Sequence, residues 1–262
     1  MSRNLADTFN EVATTYDKYR PGYVDELYED IFRYVSITDS DSCLEIGIGT
    51  GLATLPFLNK CGQLTAVEYG HDLADLCSQK FSHYENFDVK EGKFEELPIE
   101  NDSYKLIYAA TAFHWIPEKE GYEKVYSLLE PGGAFARFAN HPFRKDDGSG
   151  LCEEIDEAYN KYFYPYYNQQ PKVIREYSEE DVKRIAELPL KYGFTDTEYH
   201  IYHRERHFTA DEYISLLGTY SNHIAIEESV KKPFFEAIHE AIIRHGDVIT
   251  IRDTIDLELA RK

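Results

Sequence analysis

One segment, residues 43–54, constrains the fold of this chain more than any other. It reads Cys-Leu-Glu-Ile-Gly-Ile-Gly-Thr-Gly-Leu-Ala-Thr, an apolar strand that runs into three alternating glycines and then into a helix. Gly47, Gly49 and Gly51 lack the Cβ atoms that would hold a ligand away from the backbone of a tight turn. This order of elements is typical of an α/β protein whose backbone approaches a nucleoside-bearing ligand.

Two carboxylates beside this segment narrow the kind of ligand. Glu45 lies two residues before Gly47, where a pyrophosphate would bring one negative charge against another. A ligand that carries an ammonium or sulfonium charge suits this position better. Glu68 ends the second predicted strand, 17 residues after Gly51. A carboxylate at that strand end accepts paired hydrogen bonds from a ribose diol.

Apolar strands alternate with helices through the first half of the chain. This alternation predicts a parallel sheet with helices on both faces and a ligand at the carboxyl ends of the strands. The predicted strands are 43–46, 63–67, 87–90, 104–108 and 134–138, and the predicted helices are 5–19, 23–36, 51–59, 73–83 and 119–130.

The second half of the chain has a different pattern, with helices, many tyrosines and two long strands. Residues 196–208 and 248–259 read as the last two strands of the sheet. We therefore predict a Rossmann-like, seven-stranded, mostly parallel sheet with an antiparallel edge strand, helices on both faces and a helical cap. The predicted core is 1–142, the cap insertions are 143–185 and 209–246, and the last two strands lie in 186–208 and 247–262. The tyrosines of the cap either pack as ordinary core or line an aromatic substrate pocket.

Charge and composition exclude several classes of partner. The chain has 28 Lys and Arg against 48 Asp and Glu, a net charge of −20, which repels nucleic acid and anionic membrane surfaces. A small molecule is the expected partner. The absence of a long apolar run predicts no membrane span, and an N-terminus without an apolar signal core predicts a cytoplasmic protein. The four cysteines show no metal-type spacing, so no metal site is expected.

Several motifs together resemble one known family, the class I S-adenosylmethionine-dependent methyltransferases. The Glu-x-Gly-x-Gly-x-Gly motif is similar to the first motif of that family, and segments 16–23 and 112–115 resemble the branch that includes trans-aconitate methyltransferase and its uncharacterised relatives. The resemblance covers about residues 8–140. The matching segments are 16–23, 45–51, 91–98, 101–104, 112–115 and 128–133.

The resemblance implies a role for each of a set of cofactor-binding residues. The glycine loop would pass under the methionine part, Glu45 would hold its amino end, and Glu68 would take the ribose hydroxyls. The other implied positions are Tyr69 on the adenine, Lys93 and Phe94 beside it, Ala110 near the methionine ammonium, and Tyr16, Tyr19 and Arg20 closing over the cofactor, with Arg20 against its carboxylate. Many relatives have an Asp where Lys93 stands, so adenine contact here would rest more on backbone groups.

The acceptor side is less determined by the sequence. His114, after the fourth strand, is either a general base or substrate contact, or a packed loop histidine beside Trp115 in the core. The predicted function is in-line methyl transfer from S-adenosylmethionine to a small-molecule acceptor. The alternatives are a non-catalytic S-adenosylmethionine-binding protein and a nicotinamide-dependent oxidoreductase. The latter would need its third glycine one residue later.

Overall fold

The computed structural model describes residues 18–172 and 175–262, which form two compact units. The tyrosine-rich unit contains residues 18–21, 141–172, 175–177 and 203–254. The core unit contains residues 22–140, 178–202 and 255–262. The predicted cap insertions share residues 143–172 and 209–246 with the tyrosine-rich unit.

Seven strands form one sheet in the order β3-β2-β1-β4-β5-β7-β6. Strands β1 to β5 are parallel to one another, whereas the paired hydrogen bonds between Lys262 and the two glycines 132 and 133 join β7 to β5 in the antiparallel sense. The predicted fold class is confirmed, with β6 outermost and antiparallel to β7. The strands are β1 Ser42–Ile46, β2 Gln63–Glu68, β3 Phe87–Glu91, β4 Tyr104–Ala110, β5 Leu129–Arg144, β6 Thr195–Phe208 and β7 Ile249–Arg261.

Helices connect the strands and cover the sheet. In the core unit they are α1 Asp25–Tyr34, α2 Thr54–Leu58, α3 His71–Lys80, α4 Glu118–Leu128 and α7 Glu179–Ala186, with 3-10 turns at Phe113–Trp115 and Leu188–Tyr192. In the tyrosine-rich unit they are α5 Leu151–Ala158, a π-helical turn Tyr159–Phe163, α6 Tyr164–Tyr166, α8 Ala210–Leu217, α9 Ser221–Ile224 and α10 Glu228–Arg244.

Strand β1 shows why the core unit is built as three layers. Its residues alternate between two apolar clusters, with Cys43 in one and Leu44 and Ile46 in the other. Because helices cover both faces, four of its five residues are buried, as expected of a parallel strand. Two acidic residues, Glu45 and Glu68, lie towards the carboxyl ends of β1 and β2.

Strand β5 differs most from its predicted bounds. The sequence predicted a helix to residue 130, a turn at Pro131-Gly132-Gly133 and a strand over 134–138. Instead α4 ends at Leu128 and β5 runs from Leu129 to Arg144. A Cβ atom on Gly133 would lie about 3.0 Å from the carbonyl oxygens of Glu130 and Tyr104. Gly133 therefore permits a close strand approach here rather than ending an element.

The helix after β2 also begins differently from the sequence prediction. Asp72 was expected to cap it, but the capping residue is Gly70 and Asp72 lies in the first turn. An acidic residue is still favourable there, because it faces the partial positive charge of the helix N-terminus. The predicted helix 5–19 falls mostly outside the described residues.

Candidate functional site

The glycine loop follows β1 at the carboxyl edge of the sheet, in the core unit. Gly47, Gly49 and Gly51 have φ values of +69°, +58° and +79°, a region that other residues enter at a cost. A Cβ atom on Gly47 would lie 2.6 Å from the Cβ of Ala112, and one on Gly51 would lie 2.6 Å from the ring of Phe81. At Gly49 nothing lies within 4 Å of that position. Gly47 and Gly51 are therefore needed for packing, while Gly49 leaves room for a ligand.

Glu68 connects the end of β2 to the glycine loop. Its Oε2 accepts a hydrogen bond from the Gly49 N–H at 2.9 Å, and its Oε1 accepts one from the Gly70 N–H at 2.9 Å. The residue is 9 % exposed. A carboxylate has about four acceptor positions. Glu68 therefore keeps acceptor capacity for a diol while it holds the loop that the ligand would approach.

Glu45 is buried beneath the loop, with 1 % of its surface exposed. Its Oε2 accepts hydrogen bonds from the Thr54 hydroxyl at 2.7 Å and from the Tyr108 hydroxyl at 2.8 Å. Burial raises the pKa of the Glu45 carboxyl to about 7, although these two bonds oppose the rise; the charge of Glu68 adds to it. Glu45 thus links β1 to α2 and β4 through hydrogen bonds. A cation nearby would favour the ionised form of its carboxyl group.

The raised pKa of Glu45 makes the stability of the unliganded protein depend on pH. In the unfolded chain this carboxyl ionises near its ordinary value of 4.5, but in the folded protein it stays protonated up to about pH 7. The unfolded state therefore loses its proton first, and stability falls as pH rises between these two values. Replacing Glu45 with glutamine should stabilise the protein relative to wild type by about 2–3 kcal/mol at pH 8 and by little at pH 4.5.

Urea unfolding of both proteins without cofactor at the two pH values measures this difference. Glu123→Gln, on the exposed face of α4, is the control and should shift stability equally at both. A Glu45→Gln effect that is the same at pH 4.5 and pH 8 would contradict a raised pKa.

The remaining predicted cofactor-binding residues of the core unit lie at the end of β4 or shortly after β2 and β3 in the sequence. Tyr69 is 70 % exposed, whereas the side chain of Phe94 is buried at 3 % in an apolar cluster. The Lys93 ammonium pairs with Glu96 at 3.0 Å, and that hydrogen bond raises the pKa of Lys93. Ala110 ends β4 and is half-buried. Phe94 therefore has only its backbone to offer a ligand.

The loop after β4 presents its rings to solvent. Trp115 is 79 % exposed, so it is not a core residue. His114 is also exposed, and its ring centroid lies 4.9 Å from that of Trp115. The prediction that Trp115 packs in the core is therefore wrong. The side chain of His114 is accessible to solvent.

The predicted N-terminal contacts lie in the tyrosine-rich unit where they are described. Arg20 donates from Nε to the Thr219 hydroxyl at 3.0 Å, and its guanidinium lies 4.1 Å from the ring centroid of Tyr220. The Tyr19 carbonyl accepts a hydrogen bond from Arg206. Tyr16 lies outside the described residues.

A cavity of about 710 Å³ lies within the tyrosine-rich unit. Its wall includes Arg144, which lies beyond the end of the predicted strand 134–138. Side chains two positions apart along a strand lie on the same face, and Arg144 lies six positions after Phe138. Continuing the predicted strand would therefore have placed Arg144 on the same face as Phe138. The tyrosines and phenylalanines of the wall are Phe143, Tyr159, Phe163, Tyr164, Tyr167, Tyr213 and Tyr220.

The family was established by comparison with known proteins. Residues 43–133 match the family model described as "Methyltransferase domain". An uncharacterized methyltransferase of Geobacillus kaustophilus is 30 % identical over 206 residues, which cover 74 % of this chain and 91 % of that protein. The chain is an S-adenosylmethionine-dependent methyltransferase.

Other comparisons agree with the family. An uncharacterized methyltransferase of Schizosaccharomyces pombe is 24 % identical over 230 residues, 87 % of this methyltransferase and 84 % of the relative. This chain superposes on the solved Haemonchus contortus phosphoethanolamine N-methyltransferase 2 in complex with S-adenosyl-L-methionine, with a TM-score of 0.56 at 13 % identity. The superposition covers all of this chain and 58 % of the other. That likeness shows the fold alone. The predictions of the enzyme class and of S-adenosylmethionine as cofactor are confirmed.

Two further findings describe the methyltransferase. Within residues 18–172 and 175–262, no helix is long and apolar enough to cross a membrane. In the same part of the chain, no group of three or more His, Cys, Asp or Glu side chains is arranged to hold a metal ion.

Proposed function

We propose that this methyltransferase transfers a methyl group in line from S-adenosylmethionine to a small-molecule acceptor. The observation that supports a small acceptor is the cavity of about 710 Å³, within the range of about 300–1,000 Å³ that is usual for small ligands. The net charge of −20 disfavours nucleic acid as an acceptor.

The core unit fits the cofactor in two respects. The open position at Gly49 lets a ligand approach the backbone, and Glu68 offers a carboxylate to the ribose hydroxyls beside it. Glu45 would compensate the positive methionine end indirectly, because it is buried beneath the loop and its Oε2 is held by Thr54 and Tyr108. The further proposed contacts are Tyr69, Lys93 and the backbone of Phe94 at the adenine, Ala110 at the ammonium, and Tyr16, Tyr19 and Arg20 at the N-terminal side.

The cofactor supplies an already activated methyl group on a positively charged sulfur. The protein's residues therefore contribute mainly by aligning the reactants and excluding water. Gly47, Gly49 and Gly51 and Glu68 fix one reactant at the strand ends. A base is needed only for an acceptor that is poorly ionised at neutral pH, and the exposed His114 is our candidate for that role.

Calorimetry with S-adenosylmethionine and with its demethylated product tests the cofactor site. Both are expected to bind, and a subsequent screen of small carboxylates, phenols and amines with a labelled methyl donor should give a labelled product. If neither cofactor form binds at near-millimolar concentration, the proposal is wrong. Binding without any labelled small molecule would contradict the acceptor class.

A substitution at Gly49 separates ligand approach from packing. Gly49→Ala should lower stability by about 1 kcal/mol, because alanine is strained at positive φ, and should weaken S-adenosylmethionine binding about tenfold or more. Gly132→Ala is a matched control, because Gly132 also has positive φ (+80°) and open space at its Cβ position. The control should show the stability loss alone, as measured by thermal unfolding and calorimetry. Equal affinities in the two variants would contradict a ligand at Gly49.

A further inference from the structure

The cavity of the tyrosine-rich unit has aromatic walls. The ring centroid of Tyr159 lies 5.3 Å from that of Phe163 and 6.3 Å from that of Tyr164, and both pairs are tilted rather than parallel. Tyr213 and Tyr220 also line the cavity. Rings in such arrangements offer both faces and edges to a further ring. The walls are therefore suited to a planar, largely apolar ligand.

Arg144 supplies the buried positive charge of this wall. Its side chain is only 13 % exposed, and its guanidinium carbon lies 5.3 Å from the ring centroid of Tyr159. One terminal nitrogen donates to Asp156. Among the described residues nothing accepts the Arg144 Nε–H, and that nitrogen is buried. Because that nitrogen has no surface open to the cavity, a ligand carboxylate would contact the part of the Arg144 side chain that remains exposed.

Other charged or titratable groups also line the cavity. Its acids Asp146, Glu153 and Asp156 are exposed, as is Lys172. His223 is 5 % exposed, and burial, with a contribution from Arg20, lowers its pKa to about 4. The imidazole is therefore neutral at physiological pH. It lies 2.9 Å through Nε2 from the Tyr159 hydroxyl and 2.8 Å through Nδ1 from Asn222 Oδ1.

We propose that the methyl acceptor is an aromatic carboxylic acid, bound in this cavity with its ring among the tyrosines and its carboxylate on Arg144. Aromatic faces bind the ring, and a guanidinium fork binds a carboxylate with charge-assisted hydrogen bonds. The inference rests on the proposed function, since it names the class of acceptor. A carboxylate oxygen uses a lone pair to form the new O–CH₃ bond. The C–S bond breaks with its electron pair remaining on sulfur, so both charges are neutralised and no proton has to move.

The first test measures binding to the full chain without cofactor. The probes are 1-naphthoate, its neutral amide 1-naphthamide and the cation 1-naphthylmethylamine, which share the ring and differ in charge. The acid should bind about tenfold or more tightly than either of the others. Equal binding of acid and amide, preference for the amine or no binding of the acid would overturn the proposal.

The second test uses variants of the arginine. Arg144→Gln should reduce naphthoate binding about tenfold or more while leaving naphthamide binding nearly unchanged. Arg144→Lys keeps the charge without the fork and should bind the acid with intermediate affinity. The matched control is Arg244→Gln, an exposed arginine of the same unit that does not line the cavity, and it should bind like wild type. Unchanged acid binding in Arg144→Gln would overturn the assignment.

The third test looks for the product. A panel of aromatic acids with a labelled methyl donor should yield a labelled methyl ester, and less of it with Arg144→Gln. Label found only on a phenol or an amine would overturn the acid as acceptor and leave methyl transfer intact. Failure of S-adenosylmethionine to bind would instead overturn the proposed function, while the naphthoate measurements would still stand.

Discussion

Replacing Glu68 with glutamine is expected to weaken S-adenosylmethionine binding by about 1–3 kcal/mol, roughly 5- to 150-fold in affinity. The two carboxylate oxygens each accept a backbone N–H, from Gly49 and from Gly70. A glutamine has one oxygen, so its amide group would face one of these N–H donors with a donor of its own. We therefore expect the variant to lose both the proposed ribose acceptor and the geometry of the glycine loop.

Calorimetry of the variant and wild type measures this loss. Glu123→Gln makes the same chemical change on the exposed surface of the core unit and should bind the cofactor like wild type. Thermal unfolding of both variants separates a local effect from a loss of folded protein. Wild-type affinity in Glu68→Gln would remove Glu68 from the proposed site.

Replacing Asp253 with alanine is expected to destabilise the protein by about 3–5 kcal/mol, because it removes the buried carboxylate that pairs with two largely buried arginines. Asp253 is fully buried and contacts two arginines. Arg206 donates to both of its carboxylate oxygens, at 2.6 Å and 2.9 Å, and Arg204 adds two bonds at 3.1 Å and 3.2 Å. Since Arg206 also donates to the Tyr19 carbonyl, the change should loosen the backbone at Tyr19 as well.

Denaturant unfolding measures the size of this effect. Asp211→Ala removes a 93 % exposed carboxylate of the same unit and should change stability by less than about 1 kcal/mol. Hydrogen exchange at the amides of Tyr19 and Arg20 would show whether the N-terminal segment loosens. A loss in Asp253→Ala no larger than in Asp211→Ala would mean that the buried pairs contribute little.

The sequence predicted the elements whose signals are local. The strands β1 to β4 combine apolar runs with flanking turn residues, and the glycine loop marks the strand end at which we propose that the ligand binds. Glu68 was identified because its position depends only on where β2 ends. These features need no knowledge of distant residues, and the structure has them within a few positions of the predicted bounds.

Features that depend on distant partners were not predictable in this way. The start of β5 is decided by pairing of Leu129 with Tyr104 and of the glycines 132 and 133 with Lys262. Its extension to Arg144 brought that arginine into the cavity wall. Likewise, the hydrogen bonds of Glu45 come from Thr54, nine residues on, and from Tyr108, far along the chain. A single sequence gives no measure of such contacts.

Trp115 provides an optical probe built into the enzyme. It is the single tryptophan of the chain, it is 79 % exposed, and it follows the strand that ends at Ala110. Selective excitation of this indole therefore reports on one loop, without labelling and without interference from the 22 tyrosines. Quenching by iodide and acrylamide, followed as cofactor or acceptor is added, would read the accessibility of that loop directly during binding.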